Sequence, residues 1–196
     1  MYMVVLALTA ALLEPSIPAD PSPNPALAAA VPDLAALPHT TIVGYPVTGN
    51  SPRGVRESMN RSRPTDTDGE RFDGYTSWRY STRWRTDAQG RCDPASAQVV
   101  VAITITLPDL TSRDRLSARE RARWDRYLAA LALHEGNHAR IGLDGAEAMR
   151  NAMRAAPNCE TMRAASQQVD RMVAEANRAY DGQTRHGRTE GAVYPQ

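Results

Sequence analysis

The hydrophobic pattern changes period midway along the chain. Residues 40–48, TTIVGYPVT, are β-branched and aromatic and predict a strand. Residues 51–64 hold Pro52, Gly54 and Pro64 around a short helical piece. Between 75 and 86 the chain alternates, with Trp78, Tyr80, Thr82 and Trp84 sharing one face, which predicts a half-buried strand. Asp87-Ala88-Gln89-Gly90 reads as a turn. Residues 97–107 alternate again, with Val99, Val101, Ile103, Ile105 and Leu107 on one side and Pro108 as the expected end. From Ser117 the period becomes helical. Ser117-Ala118-Arg119-Glu120 is an S-x-x-E capping box, and no proline follows until Pro157, so one long helix is allowed. Trp124, Leu128, Leu131, Met149 and Met153 form its apolar stripe. A second helix begins near Cys159, carries Met162, Val169, Met172, Val173 and Tyr180 at helical spacing, and is expected to end at Asp181-Gly182. The predicted fold is α+β: a small antiparallel or mixed sheet followed by two long antiparallel helices.

The ends carry a different pattern. Residues 1–13 are almost wholly apolar, and eight of the fourteen prolines fall in the first 46 residues. This predicts an export signal and a disordered Pro/Ala-rich leader over 1–38, with cleavage near Ala28-Ala29-Ala30, although no basic residue precedes the apolar run. The folded domain is expected over 39–187 and a loose tail over 188–196. No apolar run is long enough for a stable membrane span. The expected location is secreted or periplasmic. Cys92 and Cys159 fit an exported chain, but sequence alone allows either one disulfide or two buried thiols. A bridge closing that loop would stabilise by about 4 kcal/mol in the chain-entropy account.

Charge excludes several classes. The net charge is +1, and all 23 basic residues are Arg, so lysine nucleophiles, Schiff bases and P-loop lysines are ruled out. Residues 53–91 hold nine Arg among aromatics, but six acids share the segment and strand alternation already explains the rings. Nucleic-acid binding is not expected.

The chemistry is concentrated in His134-Glu135-Gly136-Asn137-His138, an H-E-x-x-H motif inside the predicted long helix. Positions i and i+4 stack on one helix face, so both imidazoles can reach one metal ion, while the adjacent glutamate can act as general base on a water there. All three residues fall on the apolar stripe, and buried polar groups need partners. A zinc ion in a catalytic site has three protein ligands and an open position. The second helix, running back, returns to the level of His138 near residues 178–180, which delivers both Asp181 and His186. His186 is the expected third ligand, with Asp181 supporting a ligand histidine and Tyr180 a candidate for oxyanion stabilisation. Glu175 is held in reserve, and Asp144 points away from the metal face of a continuous helix. The strand 97–107 is expected to line the cleft and pair with an extended peptide.

Several pieces together resemble the bacterial domain-of-unknown-function family 922, described as secreted zinc-dependent proteases of the zincin type. They are the Trp78 strand, Gly90-Arg91-Cys92, Thr106-Leu107-Pro108, Leu133 to His138, Cys159, and Tyr180-Asp181-Gly182-Gln183-Thr184-Arg185-His186-Gly187. The resemblance spans about residues 40–187. It implies a zincin fold, a metal held by His134 and His138, Glu135 as catalytic residue, a role for His186, and a Cys92–Cys159 bridge. Two functions compete: a zinc protease acting on a peptide or protein substrate, and a non-catalytic zinc-binding envelope protein using the same site for structure or recognition.

Overall fold

The computed structural model describes residues 23–65 and 69–195. Three strands form a mixed sheet: β1 (Thr40–Val47), β2 (Tyr75–Thr86) and β3 (Cys92–Leu110), in the order β1-β3-β2. β3 is central, parallel to β1 with Thr40 opposite Ile103, and antiparallel to β2 with Tyr75 opposite Thr106. β3 continues past Pro108, where the sequence pattern ended it. Ile103 and Thr111 donate their N–H groups to His39 and Val47, so odd positions serve β1. Pro108 therefore turns its missing donor toward the other side, where β2 has already ended, and no ladder bond is lost.

Two long helices cover the sheet. α4 below denotes Ala118–Ala155 and α5 Cys159–Thr184; the shorter helices are α1 (Pro25–Ala30), α2 (Pro32–Ala35) and α3 (Pro52–Ser62). Both bonds of the Ser117/Glu120 capping box form, and Asn158 with Thr161 builds a second one at the start of α5. The predicted stripe of α4, Trp124 through Met153, is buried, whereas Met172 of α5 is exposed. His138 meets Asn177 and Asp181, while Gly145 faces Val173, so the two helices run antiparallel. A side chain at Gly145 would collide with Val173 and with the Tyr80 hydroxyl, so the glycine sets how closely α5 and β2 approach α4. Cys92 and Cys159 are joined in a disulfide that ties the start of β3 to the start of α5.

Both ends differ from expectation. The apolar run 1–13 lies outside the described residues. Residues 25–35, however, form two helical turns rather than a disordered leader, and Leu27, Val31 and Leu34 are buried in the main core beside Ile42 and Tyr45. Pro25 and Pro32 stand at the first helical positions, where proline costs no hydrogen bond, and Asn24 caps α1 through Leu27 N–H. The expected cleavage site, Ala28-Ala29-Ala30, lies inside α1. The C-terminal segment is also packed rather than loose. Tyr194 is buried against the rings of Trp124 and Tyr127, at centroid distances of 5.3 and 5.2 Å.

Candidate metal centre

His134, Glu135 and His138 are buried on the sheet-facing side of α4. The Nε2 atoms of the two histidines lie 3.2 Å apart, and Asp181 Oδ1 stands 3.2 Å from one and 3.1 Å from the other. Among the described residues these three side chains are the group of His, Cys, Asp and Glu that could hold a metal ion.

The far side of each imidazole is fixed. Asn177 donates from Nδ2 to the Val173 carbonyl, which leaves its Oδ1 as acceptor, 2.6 Å from His138 Nδ1. His138 Nδ1 therefore carries the hydrogen. His134 Nδ1 lies 2.8 Å from a Glu190 carboxylate oxygen and likewise donates. Glu190 also accepts from the Tyr180 hydroxyl at 2.6 Å, and that hydroxyl accepts from Asn137 Nδ2 at 2.7 Å. Both Nε2 atoms consequently present lone pairs, and so does Asp181 Oδ1. Three acceptors at 3.1–3.2 Å repel one another unless a cation or a proton lies between them. Four donors around an ion with bonds of about 2.0–2.1 Å stand about 3.3 Å apart, so this donor set fits a tetrahedral ion of the zinc class. Positive charge is favoured at this point. Burial disfavours the charged form of both histidines, but hydrogen bonds to Asp181 and the nearby Glu135 outweigh it and raise their pKa. Burial would raise Asp181, yet the two imidazoles hold its carboxyl well below the usual range.

The third member of the cluster is thus a carboxylate, Asp181, rather than the expected His186. α5 runs past Asp181 to Thr184, so Asp181 sits inside the helix and faces α4. Arg185 and His186 then take left-handed backbone conformations (φ 53° and 55°), which swing His186 outward. Its Nδ1 approaches Asp181 Oδ1 from outside at 3.4 Å, its side chain is 54% exposed, and its ring packs on Phe72. Tyr180 stands behind the site, stacked on His134, with its hydroxyl engaged by Glu190 and Asn137, so it does not face the cleft as an oxyanion donor. Glu175 and Asp144 are exposed and outside the cluster.

Glu135 is buried beneath the cleft. Thr76 Oγ1 donates to its Oε2 at 2.7 Å. Gly74 makes room for the other oxygen: a Cβ there would lie 2.5 Å from Oε1. Burial raises the glutamate's pKa, offset only in part by His138 and the Thr76 hydrogen bond. In the sequence Gly74 reads only as a turn residue, and nothing there assigns a site role to Thr76 or Glu190. Thr76 lies at the start of the predicted strand and Gly74 just before it, but their contact with α4 depends on strand placement. Glu190 reaches His134 only because the left-handed residues 185–187 turn the chain back, and Gly187 was the one local signal of that turn.

Above these groups opens a cleft of about 720 Å³, lined by Gly74, Thr76 and Trp78 on the sheet side and Asn177, Asp181 and His186 on the α5 side. The fold and site define an α+β protein with a candidate metal centre built on a buried H-E-x-x-H helix. The family described as bacterial protein of unknown function (DUF922) matches residues 42–187, and the chain belongs to it. No curated protein and no solved structure matches the chain.

Proposed function

We propose that this protein is a zinc-dependent hydrolase of peptide bonds, of the zincin type, with His134, His138 and Asp181 as metal ligands and Glu135 as general base. The observation that carries the reading is the convergence of three lone-pair atoms beside a buried carboxylate at the floor of an open cleft. When bound, an ion of this class polarises a carbonyl and acidifies a water. Glu135 is the group that takes the proton: Thr76 holds Oε2, Oε1 faces Gly74, and a raised pKa suits a base working near neutrality. The same carboxyl then returns that proton to the departing amine. Glu190 and Asn177 keep each imidazole in the tautomer that offers Nε2.

An extended substrate would add to the sheet at β2. The strand 97–107 cannot accept it, because β3 is already paired on both sides, whereas β2 is an edge and its first residues line the cleft. The disulfide supports an oxidising compartment, secreted or periplasmic. No helix among the described residues is long and apolar enough to cross a membrane.

The test is Glu135→Gln against a broad peptide library, with metal content measured in parallel. Loss of cleavage with metal retained is expected. Wild-type protein that binds metal but cleaves nothing would favour the non-catalytic alternative, and wild-type protein that binds no zinc would sink both.

A further inference from the structure

The cleft is far more basic than the chain that contains it. The molecule as a whole is almost neutral at +1, yet six arginines line the cleft against three carboxylates. Each of those carboxylates is already engaged. Asp73 accepts from Arg56 and Tyr127, Glu135 is buried under Thr76, and Asp181 faces the imidazoles.

The arginines fall into two groups. On the sheet side, Arg56 and Arg63 pair with Asp73, and Arg71 donates to the carbonyls of Arg61 and Arg63. On the α5 side, Arg178, Arg185 and Arg188 are exposed and make no ion pair or side-chain hydrogen bond among the described residues. Arg178 precedes Asp181 by three residues on α5, a spacing at which an arginine ordinarily pairs with an aspartate, and Arg185 stands just past the helix end in a left-handed conformation. Asp181 instead gives Oδ1 to three histidines, and both arginines line the cleft that holds the candidate metal centre. A guanidinium is a planar fork matched to a carboxylate, and a cleft lined by one sign of charge concentrates ligands of the opposite sign.

We propose that the cleft selects peptides bearing a carboxylate close to the bond presented to the site, bound by Arg178, Arg185 and Arg188. The proposal rests on the peptide-hydrolase reading for the class of ligand. The carboxylate can belong to an acidic side chain or to a peptide C-terminus.

The test uses fluorescent decapeptides carrying Glu, Gln or Arg on either side of an N-methylated amide between residues 8 and 9, each with a free or an amidated C-terminus. Binding to the zinc-supplemented wild-type protein is read by anisotropy, with peptide integrity checked by mass spectrometry. At least tenfold tighter binding of a carboxylate-bearing peptide than of the amidated Gln peptide is expected, shrinking as salt rises. That preference should fall below threefold in the Arg178→Gln/Arg185→Gln/Arg188→Gln variant and persist in Arg126→Gln, on the opposite face of α4. Selectivity that survives amidation assigns the acidic side chain as the source, and selectivity lost on amidation assigns the terminus. Equal binding of the Glu free acid and the amidated Gln peptide, or a preference unchanged in the triple variant, overturns the proposal. The two readings separate cleanly. Selective binding without cleavage of any unmethylated peptide keeps the recognition and removes the hydrolysis, whereas cleavage of acidic and neutral peptides with equal affinity does the reverse.

Discussion

Gly74→Ala isolates the contact between the residue that leads into β2 and the H-E-x-x-H helix. The backbone at residue 74 tolerates alanine, because its φ lies outside the left-handed region. The obstacle is the Glu135 side chain: the new methyl would lie 2.5 Å from Oε1 and 2.9 Å from Cδ and Cγ. Glu135 cannot swing aside freely, because Thr76 holds Oε2 and the residue is only 4% exposed. Overpacking of this kind costs about 1–3 kcal/mol. For a chain of this size, that lowers the melting temperature by roughly 2–12 °C. The clean assay is a double-mutant cycle with Glu135→Ala, measured by urea denaturation at fixed zinc concentration, since bound metal shifts apparent stability. Removing the carboxylate removes the obstacle, so Gly74→Ala should cost almost nothing in the Glu135→Ala background. The coupling energy should be about 1–3 kcal/mol. Additivity within about 0.5 kcal/mol would mean that Gly74 and Glu135 do not touch, and the account of how the base is seated would fail.

Other parts of the structure can be tested independently. Asp181→Asn should lower zinc stoichiometry in the purified protein while His186→Ala leaves it unchanged; the reverse result would restore His186 as the third ligand. Asp73→Asn should cost about 1.5–3 kcal/mol at pH 7, because Asp73 accepts charged or hydroxyl donors from Arg56, Arg63 and Tyr127. Burial pushes the Asp73 carboxyl up, but the Arg56 hydrogen bond and the charges of Arg56 and Arg63 more than reverse this, so its folded pKa lies below the ordinary aspartate value of about 3.9. A depressed folded pKa contributes stability above the unfolded value that is lost as pH falls through the folded one. The gap between wild type and variant, followed by urea titration, should therefore be constant from pH 7 to 5 and close below about pH 4; a gap that widened there would reverse the assignment. Leu27→Ala should destabilise by about 2–5 kcal/mol, as expected for a buried leucine, and a cost under 0.5 kcal/mol would return α1 to a loosely attached leader.

The parts of the fold legible in the sequence are those where one periodicity dominates. The stripe of α4 and the alternation of β2 and β3 needed no tertiary information, and counting residues back along an antiparallel partner delivered the right stretch of α5 to the level of His138. The count failed over a single turn. Gly182 reads as a helix end, but α5 passes through it, and that turn decides whether residue 181 or residue 186 faces the imidazoles. The leader misled for a similar reason. Leu27, Val31 and Leu34 have helical spacing, but the prolines among them read as breakers until their N-terminal positions are seen. Gly74, Thr76 and Glu190 depend on where strands and a reversed tail are placed, which no local pattern encodes.

The arrangement around Glu135 bears on which of the two competing functions the site supports. A metal centre that serves only architecture is closed by four protein donors, whereas this cluster offers three and opens to a cleft. Glu135 is not one of the three. Its burial is nevertheless costly, since its pKa is raised by desolvation and a single side-chain donor offsets the loss of water. A hydrophobic residue of similar volume at that position would leave His134, His138 and Asp181 with their present partners, because Glu190 and Asn177, not Glu135, orient the imidazoles. The carboxylate is thus not needed to orient the three donor groups. Thr76 in β2, which fixes one oxygen, and Gly74 just before that strand, which vacates space for the other, lie apart in the chain from the three donor residues. Both residues thus accommodate a carboxylate that ligand orientation does not need, which is the arrangement the proposed proton-transfer role calls for.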